Sequence, residues 1–141
     1  MRRVAAAMVG LGLAGAALAG TALAGAVPIE RGVLGQSEVT LYRHPFLQDE
    51  ELATLRLVMT NEAALAIFVP QDKAAAGGFA ALAASPDDGF VREGKPVASA
   101  VALAGLADAA AAETAATDAC NALRQGAAPC VMVLLVEPQQ R

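Results

Sequence analysis

Two cysteines are the residues of this chain whose spacing best supports a defined piece of chemistry. Cys120 lies near the end of an Ala-rich, helix-like run, and Cys130 opens the apolar run Val131 to Val136. Bridging them would close a loop of about ten residues, and loop entropy predicts a stabilisation of about 2.7 kcal/mol. Redox-active pairs usually have two residues between them, as in C-x-x-C, at a helix N-terminus, where a thiolate is stabilised. We therefore expect a structural disulfide, with a redox-active pair as the alternative.

The single histidine and the acidic clusters are the next candidates for chemistry. His44 precedes Pro45, and we expect it to be exposed at a strand end, with a catalytic or ligand role as the alternative. Asp49-Glu50-Glu51 fits the first turn of a helix, where negative charge suits the dipole. Asp87-Asp88 fits a turn. A paired-carboxylate site would require two of these groups to face one cleft, and the sequence shows no such pairing.

The remaining polar residues lack the context that catalysis or cofactor binding requires. Ser85 and Ser99 have no nucleophile-elbow sequence, and Gly77-Gly78 belongs to no phosphate-binding glycine motif. Lys73 and Lys95 lie in polar loop sequence, which argues against a desolvated Schiff-base lysine. Two cysteines and one histidine are too few for a clustered zinc site. The sequence therefore assigns no catalytic, cofactor-binding or metal-binding residue.

The N-terminus has the three parts of a secretory signal peptide. Arg2 and Arg3 precede the uncharged run Val4–Ala19, and small residues at Ala22-Leu23-Ala24 favour cleavage after Ala24. Rival cleavage triplets are Ala17-Leu18-Ala19 and Ala24-Gly25-Ala26. An uncleaved membrane anchor is the alternative, because no charge interrupts residues 4–29. We expect a signal peptide at 1–24, a flexible lead-in at 25–36, one domain at 37–138 and a tail at 139–141.

Charge and compartment narrow the possible partners. The net charge is -4, and removal of two arginines with the signal makes it more negative. An acidic exported chain is a poor nucleic-acid binder and gains little from anionic membranes. In the oxidising periplasm or outside the cell, two cysteines favour a disulfide. We expect a periplasmic or secreted protein without a membrane span after cleavage, whose partner is a protein or a small ligand.

The periodicity of the chain predicts an α+β fold. Apolar spacing predicts strands at Ser37–Arg43, Ala64–Val69, Phe79–Ser85 and Val131–Val136. It predicts helices from about Gln48 to Asn61 and from Leu106 to Arg124. Turn residues predict a loop at Gln71–Gly78, a turn at Pro86–Gly89 and a connection at Phe90–Lys95. The segment Val97–Leu103 fits a strand or a helix. We expect a small antiparallel or mixed sheet with two helices on one face, a ferredoxin-like arrangement being one candidate.

The composition predicts a thin hydrophobic core. Hydrophobic residues make up 56% of the chain, but alanine accounts for much of this and aromatics for only 4%. Alanine contributes little burial energy compared with Leu or Phe, so Phe79 and Phe90 are expected in the core. A covalent link would then contribute a larger share of stability than usual.

Four motifs in the C-terminal part resemble a family of small exported alphaproteobacterial proteins. They are the strand start Phe79-Ala80-Ala81, the turn Ser85-Pro86-Asp87-Asp88-Gly89, the helix end Ala119–Arg124 and the strand start Gly126–Cys130. The resemblance covers Phe79 to Pro138. Gly78 stands where the family pattern has a second aromatic residue. Members often carry the label 5-aminolevulinate synthase, which would imply a pyridoxal-phosphate acyltransferase.

The residues themselves favour a non-enzymatic binding or interaction domain over that synthase. A chain of 141 residues, shortened by export, is too small for a large aminotransferase-type fold and shows no lysine pocket or phosphate-binding motif. The resemblance supplies no catalytic or binding residues. The synthase and a membrane-tethered interaction module remain the two alternative functions.

Overall fold

The computed structural model describes residues 27–68 and 78–138. The predicted signal peptide, its cleavage sites, the tail and most of the loop at 71–78 lie outside these ranges. The elements are β1 (Ile29–Leu34), β2 (Ser37–Tyr42), α1 (Asp49–Thr60), α2 (Glu62–Phe68), β3 (Phe79–Ala84), β4 (Val91–Arg92), β5 (Lys95–Pro96), β6 (Val101–Leu106), α3 (Ala109–Leu123) and β7 (Val131–Pro138). The predicted α+β class is confirmed.

The main sheet has five strands in the order β1-β2-β7-β3-β6, and every pairing is antiparallel. The last strand of the chain is therefore the central one. Its residues Met132 to Val136 are all buried, which explains why the sequence there is continuously apolar instead of alternating. Strands β4 and β5 form a separate small hairpin.

Two packed layers cover the two faces of this sheet, and they differ in side-chain size. The large-residue face joins α1 to the sheet and consists mainly of Val39, Leu41, Leu55, Val58, Met59, Leu82, Phe90 and Leu134. The alanine face joins α3 to the sheet and consists of Ala81, Ala83, Ala112, Ala116, Cys120, Cys130, Met132 and Leu135. Alternate residues of β3 thus serve opposite layers.

The arrangement of the helices corrects one part of the prediction. Helix α1 packs against β1 and β2 on the large-residue face, whereas α3 packs against β3, β6 and β7 on the alanine face. The two predicted helices therefore lie on opposite faces and not on one, so the ferredoxin-like candidate does not describe this fold. The amphipathic pattern marks which side of a helix is buried, but it does not say which face of the sheet receives it.

Helix α2 replaces a strand that the sequence predicted at Ala64–Val69. Asn61 ends α1 in an extended conformation, and its side-chain oxygen accepts a hydrogen bond from the Ala64 N–H at 3.0 Å. The residue predicted to stop one helix therefore also caps the next. Leu65 is buried, while Ile67 is 75% exposed. The apolar run was mistaken for a buried strand because its length fits either element.

Strand β1 replaces most of the predicted flexible lead-in at 25–36. It forms a hairpin with β2 through a two-residue turn that begins at Gly35, where φ is +61°. A glycine at the first turn position is typical of a type II′ hairpin. Its apolar residues Ile29 and Val33 point outward and are exposed, so the strand shows no apolar-in alternation. The lead-in prediction is wrong for this reason.

Three predicted strands and the C-terminal helix are present, and the segment that fitted a strand or a helix is part of a strand. The strands at the predicted β2, β3 and β7 positions are confirmed, and the ambiguous segment Val97–Leu103 contributes to strand β6. Helix α3 begins at a cap that the sequence did not single out, because the Asp108 carboxylate accepts the Ala111 N–H at 2.7 Å. The helix ends at Leu123, one residue before the predicted end.

Candidate functional site

The predicted disulfide is present and joins α3 to the central strand. Cys120 and Cys130 are bonded, with their Cα atoms 6.0 Å apart. Both are buried, at 0% and 7% exposure. The Cys130 N–H also donates to the Asn121 side chain at 2.8 Å, so the link is reinforced one residue beyond the bridge. Cys120 is fully buried and Cys130 nearly so, which favours a structural bond, because a redox exchange requires access to a sulfur.

The acidic turn, Pro86–Gly89, is hydrogen-bonded to the loop that precedes Cys130. One carboxylate, Asp88, accepts hydrogen bonds from the N–H groups of Gln125 and Gly126 at 2.8 and 2.9 Å and from the Ser99 hydroxyl at 2.8 Å. The neighbouring Asp87 accepts the Ala128 N–H at 2.9 Å. The sequence predicted the turn and missed this second function of its side chains.

The electrostatics of Asp88 follow from these contacts. The Gln125 N–H and the Ser99 hydroxyl lower the pKa of its carboxyl, and burial opposes them only in part. Gly126 is required by the same contact, because a Cβ there would lie 2.2 Å from the Asp87 Cβ. Two of the motifs that carry the family resemblance are thus joined to each other, and their acidic residues are structural.

Glu51 is the second carboxylate with a structural role. It was predicted at a helix start, yet its side chain is fully buried. It accepts the N–H groups of Gln48, Phe90 and Val91 and pairs with the Arg92 guanidinium at 2.6 Å. Burial alone would raise the pKa of Glu51, but these hydrogen bonds outweigh it and lower the pKa. The carboxylate therefore fixes the start of the β4–β5 segment to α1.

His44 lies in a different environment from the exposed strand end that the sequence predicted. Its ring is half-buried, stacks on Phe46 with centroids 5.6 Å apart, and places Nε2 at 2.8 Å from the Met132 carbonyl oxygen. Because a carbonyl only accepts, Nε2 carries the proton, and in the neutral ring Nδ1 is an acceptor. The hydrogen bond joins the end of β2 to the central strand.

A recess lies where α3 meets β2 and β7, beside the disulfide. Its volume is about 360 Å³, and it is open to solvent. The lining residues come from all three elements and their flanks: Tyr42, His44, Glu113, Thr117, Cys130, Val131 and Met132. Glu113 and Thr117 are one helical turn apart on α3, which places both on the side that faces β2. We take this recess as the candidate functional site.

The recess has a negative electrostatic environment. Burial raises the pKa of Tyr42, and the charges of Glu113 and Glu137 raise it further, with Arg31 acting in the opposite direction. Glu113 lines the recess, and both Glu113 and Glu137 lie close enough to act on Tyr42. A cation near the Tyr42 ring would therefore be favoured over an anion.

The other residues considered for chemistry lie away from the recess. The Ser85 hydroxyl accepts the Asp88 N–H at 3.3 Å, and Ser99 donates to the Asp88 carboxylate, so both belong to the acidic turn. Lys95 is exposed in the β4–β5 hairpin, and Lys73 lies outside the described residues. Within 27–68 and 78–138, no three metal-ligating side chains are grouped to hold an ion.

Sequence reasoning missed three of the residues that line the recess. Tyr42 was assigned to a strand, and Glu113 and Thr117 to a helix, without a shared site. The available signal was the polar pair one turn apart in an otherwise Ala-rich helix. That signal does not identify the strand opposite the pair, which only the tertiary structure determines.

Comparison with known proteins gives no assignment. No family model, no curated protein and no solved structure matches the chain. In the part of the chain that is described, no helix has the length and apolar character needed to cross a membrane. Function must therefore be argued from the geometry of the recess.

Proposed function

We propose that this chain is an exported, disulfide-linked binding domain without enzymatic activity, and that the recess beside the disulfide is its ligand site. One observation carries the proposal. The recess of about 360 Å³ brings a tyrosine, a histidine, a carboxylate and a hydroxyl to one solvent-accessible place. An open, largely preformed concavity with a few converging polar groups is typical of a small-ligand site.

The surrounding contacts support binding in preference to catalysis. The carboxylates of Glu51 and Asp88 accept three or more hydrogen bonds each, and they hold the fold together. His44 is held by the Met132 carbonyl, and neither Ser85 nor Ser99 adjoins it among the recess-lining residues. A nucleophile needs a base within hydrogen-bond reach, and the Thr117 hydroxyl of the recess donates to the carbonyls of Glu113 and Thr114 and not to His44.

Export is supported by the N-terminal sequence and by the disulfide. Two arginines, an uncharged run and the Ala22-Leu23-Ala24 triplet form the expected signal pattern. A buried disulfide is compatible with an oxidising compartment. Intact-mass measurement of protein recovered from the periplasm or medium tests this part. A mature chain beginning at Gly25 is the expected result, and a retained Met1–Ala24 segment would instead support the membrane-tethered alternative.

A fragment screen by nuclear magnetic resonance tests the binding site. With ¹⁵N-labelled mature protein and a library of anionic, neutral and cationic fragments, we expect shift changes to concentrate at Tyr42, Thr117 and Val131. Thr117→Phe fills the recess and should abolish these changes. Thr114→Phe is the matched control, because Thr114 is exposed on the same helix and does not line the recess. Shift changes that persist in Thr117→Phe, or that lie elsewhere, would contradict the proposal.

A further inference from the structure

We propose that the recess recognises an organic cation, through an ammonium or guanidinium group held between the Glu113 carboxylate and the Tyr42 ring. This inference rests on the proposed binding function and specifies the chemical class of its ligand. The polarity of the lining groups, the charges around them and the aromatic surface all favour such a ligand.

The polar groups of the recess are left mainly as acceptors. The Thr117 hydroxyl directs its proton to the main-chain carbonyls of Glu113 and Thr114, at 2.8 and 3.1 Å, which leaves its oxygen lone pairs. His44 uses its Nε2 proton on the Met132 carbonyl. The Glu113 carboxylate only accepts. A ligand that supplies several N–H donors fits this set, whereas an anionic ligand would find few donors.

The nearby arginines are held by other groups of the protein. Arg31, the cation that acts on Tyr42, lies 3.8 Å from Glu38. Arg43, which follows Tyr42 in the chain, lies 3.8 Å from Glu30, a carboxylate that it shares with Arg56. Arg124, after α3, donates to the carbonyls of Gly126 and Ala127.

The two carboxylates that act on Tyr42 have no cationic partner among the described residues. Among the ion pairs formed within the described ranges, none includes Glu113 or Glu137. A bound cation would supply the charge that these two carboxylates lack.

The aromatic side chain adds a second attraction for a cation. Tyr42 is half-buried in the wall of the recess, and its ring packs against the alanine face. A tyrosine ring attracts an ammonium or guanidinium group placed over it, and more strongly where water is partly excluded. Both the carboxylate and the ring thus favour the same ligand charge. The source of the cation is either a free polyamine or the side chain of a basic peptide.

Tyr42 also provides the measurement. It is the single tyrosine of the chain, and tryptophan is absent, so intrinsic fluorescence reports on this position alone. We would titrate the mature protein with N-acetyl-arginine amide, N-acetyl-citrulline amide and N-acetyl-glutamate amide. Citrulline keeps the shape of arginine without its charge. Spermidine forms a further arm, which separates a free polyamine from a peptide side chain.

We expect saturable binding of the arginine or spermidine probe, at least tenfold tighter than binding of the citrulline and glutamate probes. Glu113→Gln should weaken binding of the cation about fivefold, the upper range for an ion pair at an exposed carboxylate. The matched control is Asp118→Asn, which removes the same charge from an exposed position of α3 outside the recess and should leave affinity unchanged. Glu113 is exposed, so the glutamine variant should keep the thermal midpoint of the wild type.

The contrary outcomes separate this inference from the proposed function. If the citrulline or glutamate probe binds as tightly as arginine, or if Glu113→Gln has no effect, cation recognition is wrong and the recess still binds. If no probe binds while library fragments perturb Tyr42, the inference is likewise wrong and the binding function stands. If neither probes nor fragments perturb the recess, both proposals are wrong.

Discussion

The two faces of the sheet are stabilised in different ways. The large-residue face fills the space between α1 and the strands with Leu, Val, Met and Phe side chains. The alanine face brings α3 close to the strands through Ala81, Ala83, Ala112 and Ala116, which bury little area each. Each buried methylene contributes about 0.8 kcal/mol, so the alanine face gains less from burial. The disulfide lies on that face.

The contrast between the two faces explains why the cross-link and the candidate ligand site lie on the same side of the sheet. A layer with little volume to bury can be secured by a covalent bond instead of bulk. The same short side chains allow α3 to lie close to the sheet, and the recess lies where α3 meets β2. On the other face, the buried Glu51 is fully engaged with backbone N–H groups and Arg92. The candidate ligand site therefore lies on the face with the thinner core.

The largest expected effect comes from truncating the large-residue face. Leu55→Ala removes a fully buried side chain and should lower the free energy of unfolding by about 3 kcal/mol, through lost burial and a residual cavity. Leu57→Ala is the matched control, because Leu57 lies on the same helix and is 54% exposed. Its effect should stay within about 0.5 kcal/mol. Urea unfolding followed by circular dichroism measures both, and equal effects would refute the distinction between buried and exposed leucines.

Removal of the cross-link tests the alanine face. The double variant Cys120→Ala/Cys130→Ala should lose about 2.7 kcal/mol of stability, because the unfolded chain regains the entropy of an open loop. Reductant should destabilise the wild type similarly and leave the double variant unchanged, which controls for nonspecific effects. Denaturant unfolding with and without reductant gives the comparison. Unaltered stability after reduction would show that alanine packing alone holds α3 in place.

Overpacking tests how closely α3 approaches the sheet. Ala116→Leu inserts three carbon atoms at a fully buried position and should cost about 2 kcal/mol by forcing the layers apart. Ala110→Leu adds the same volume at an exposed position of α3 and should be nearly neutral. Thermal unfolding of the two variants measures the difference in their stability. A tolerated Ala116→Leu would mean that the alanines do not set the spacing.

The smallest expected effect is a dependence of stability on acid. The pKa of Glu51 and that of Asp88 are lower in the folded chain than their ordinary values of 4.5 and 3.8. The unfolded chain therefore binds protons first, so stability should fall as the pH drops below about 4.5 and keep falling until the folded carboxyls are protonated. Thermal midpoints between pH 2 and 7 measure this loss.

Asp88→Asn measures the part of the stability loss in acid that comes from the acidic turn. It should make the loss below pH 3.8 shallower, since one of the two carboxyls no longer titrates. Asp118→Asn controls for the removal of one charge. An unchanged acid slope in Asp88→Asn would mean that the contacts of the turn do not depend on its charge.

Local sequence information was sufficient for most elements and for the disulfide. The spacing of apolar residues marked β2, α1, β3, α3 and β7, and the two cysteines beside a helix end and a strand start marked the bond. The prediction failed where apolar residues point outward and where an apolar run is short enough to fit either a strand or a helix. Strand β1 points its apolar residues outward, and α2 has the length of a strand. Local patterns cannot report pairing with a distant strand.

Composition and residue spacing along the backbone are sufficient to predict the α+β class, the covalent link and the acidic character of the chain. Tertiary structure alone decided that the last strand lies at the centre of the sheet, that α1 and α3 cover opposite faces, and that Tyr42, His44 and Glu113 share a recess. These features depend on contacts between residues far apart in sequence. Such contacts are selected by the packing of whole elements, which no local pattern encodes.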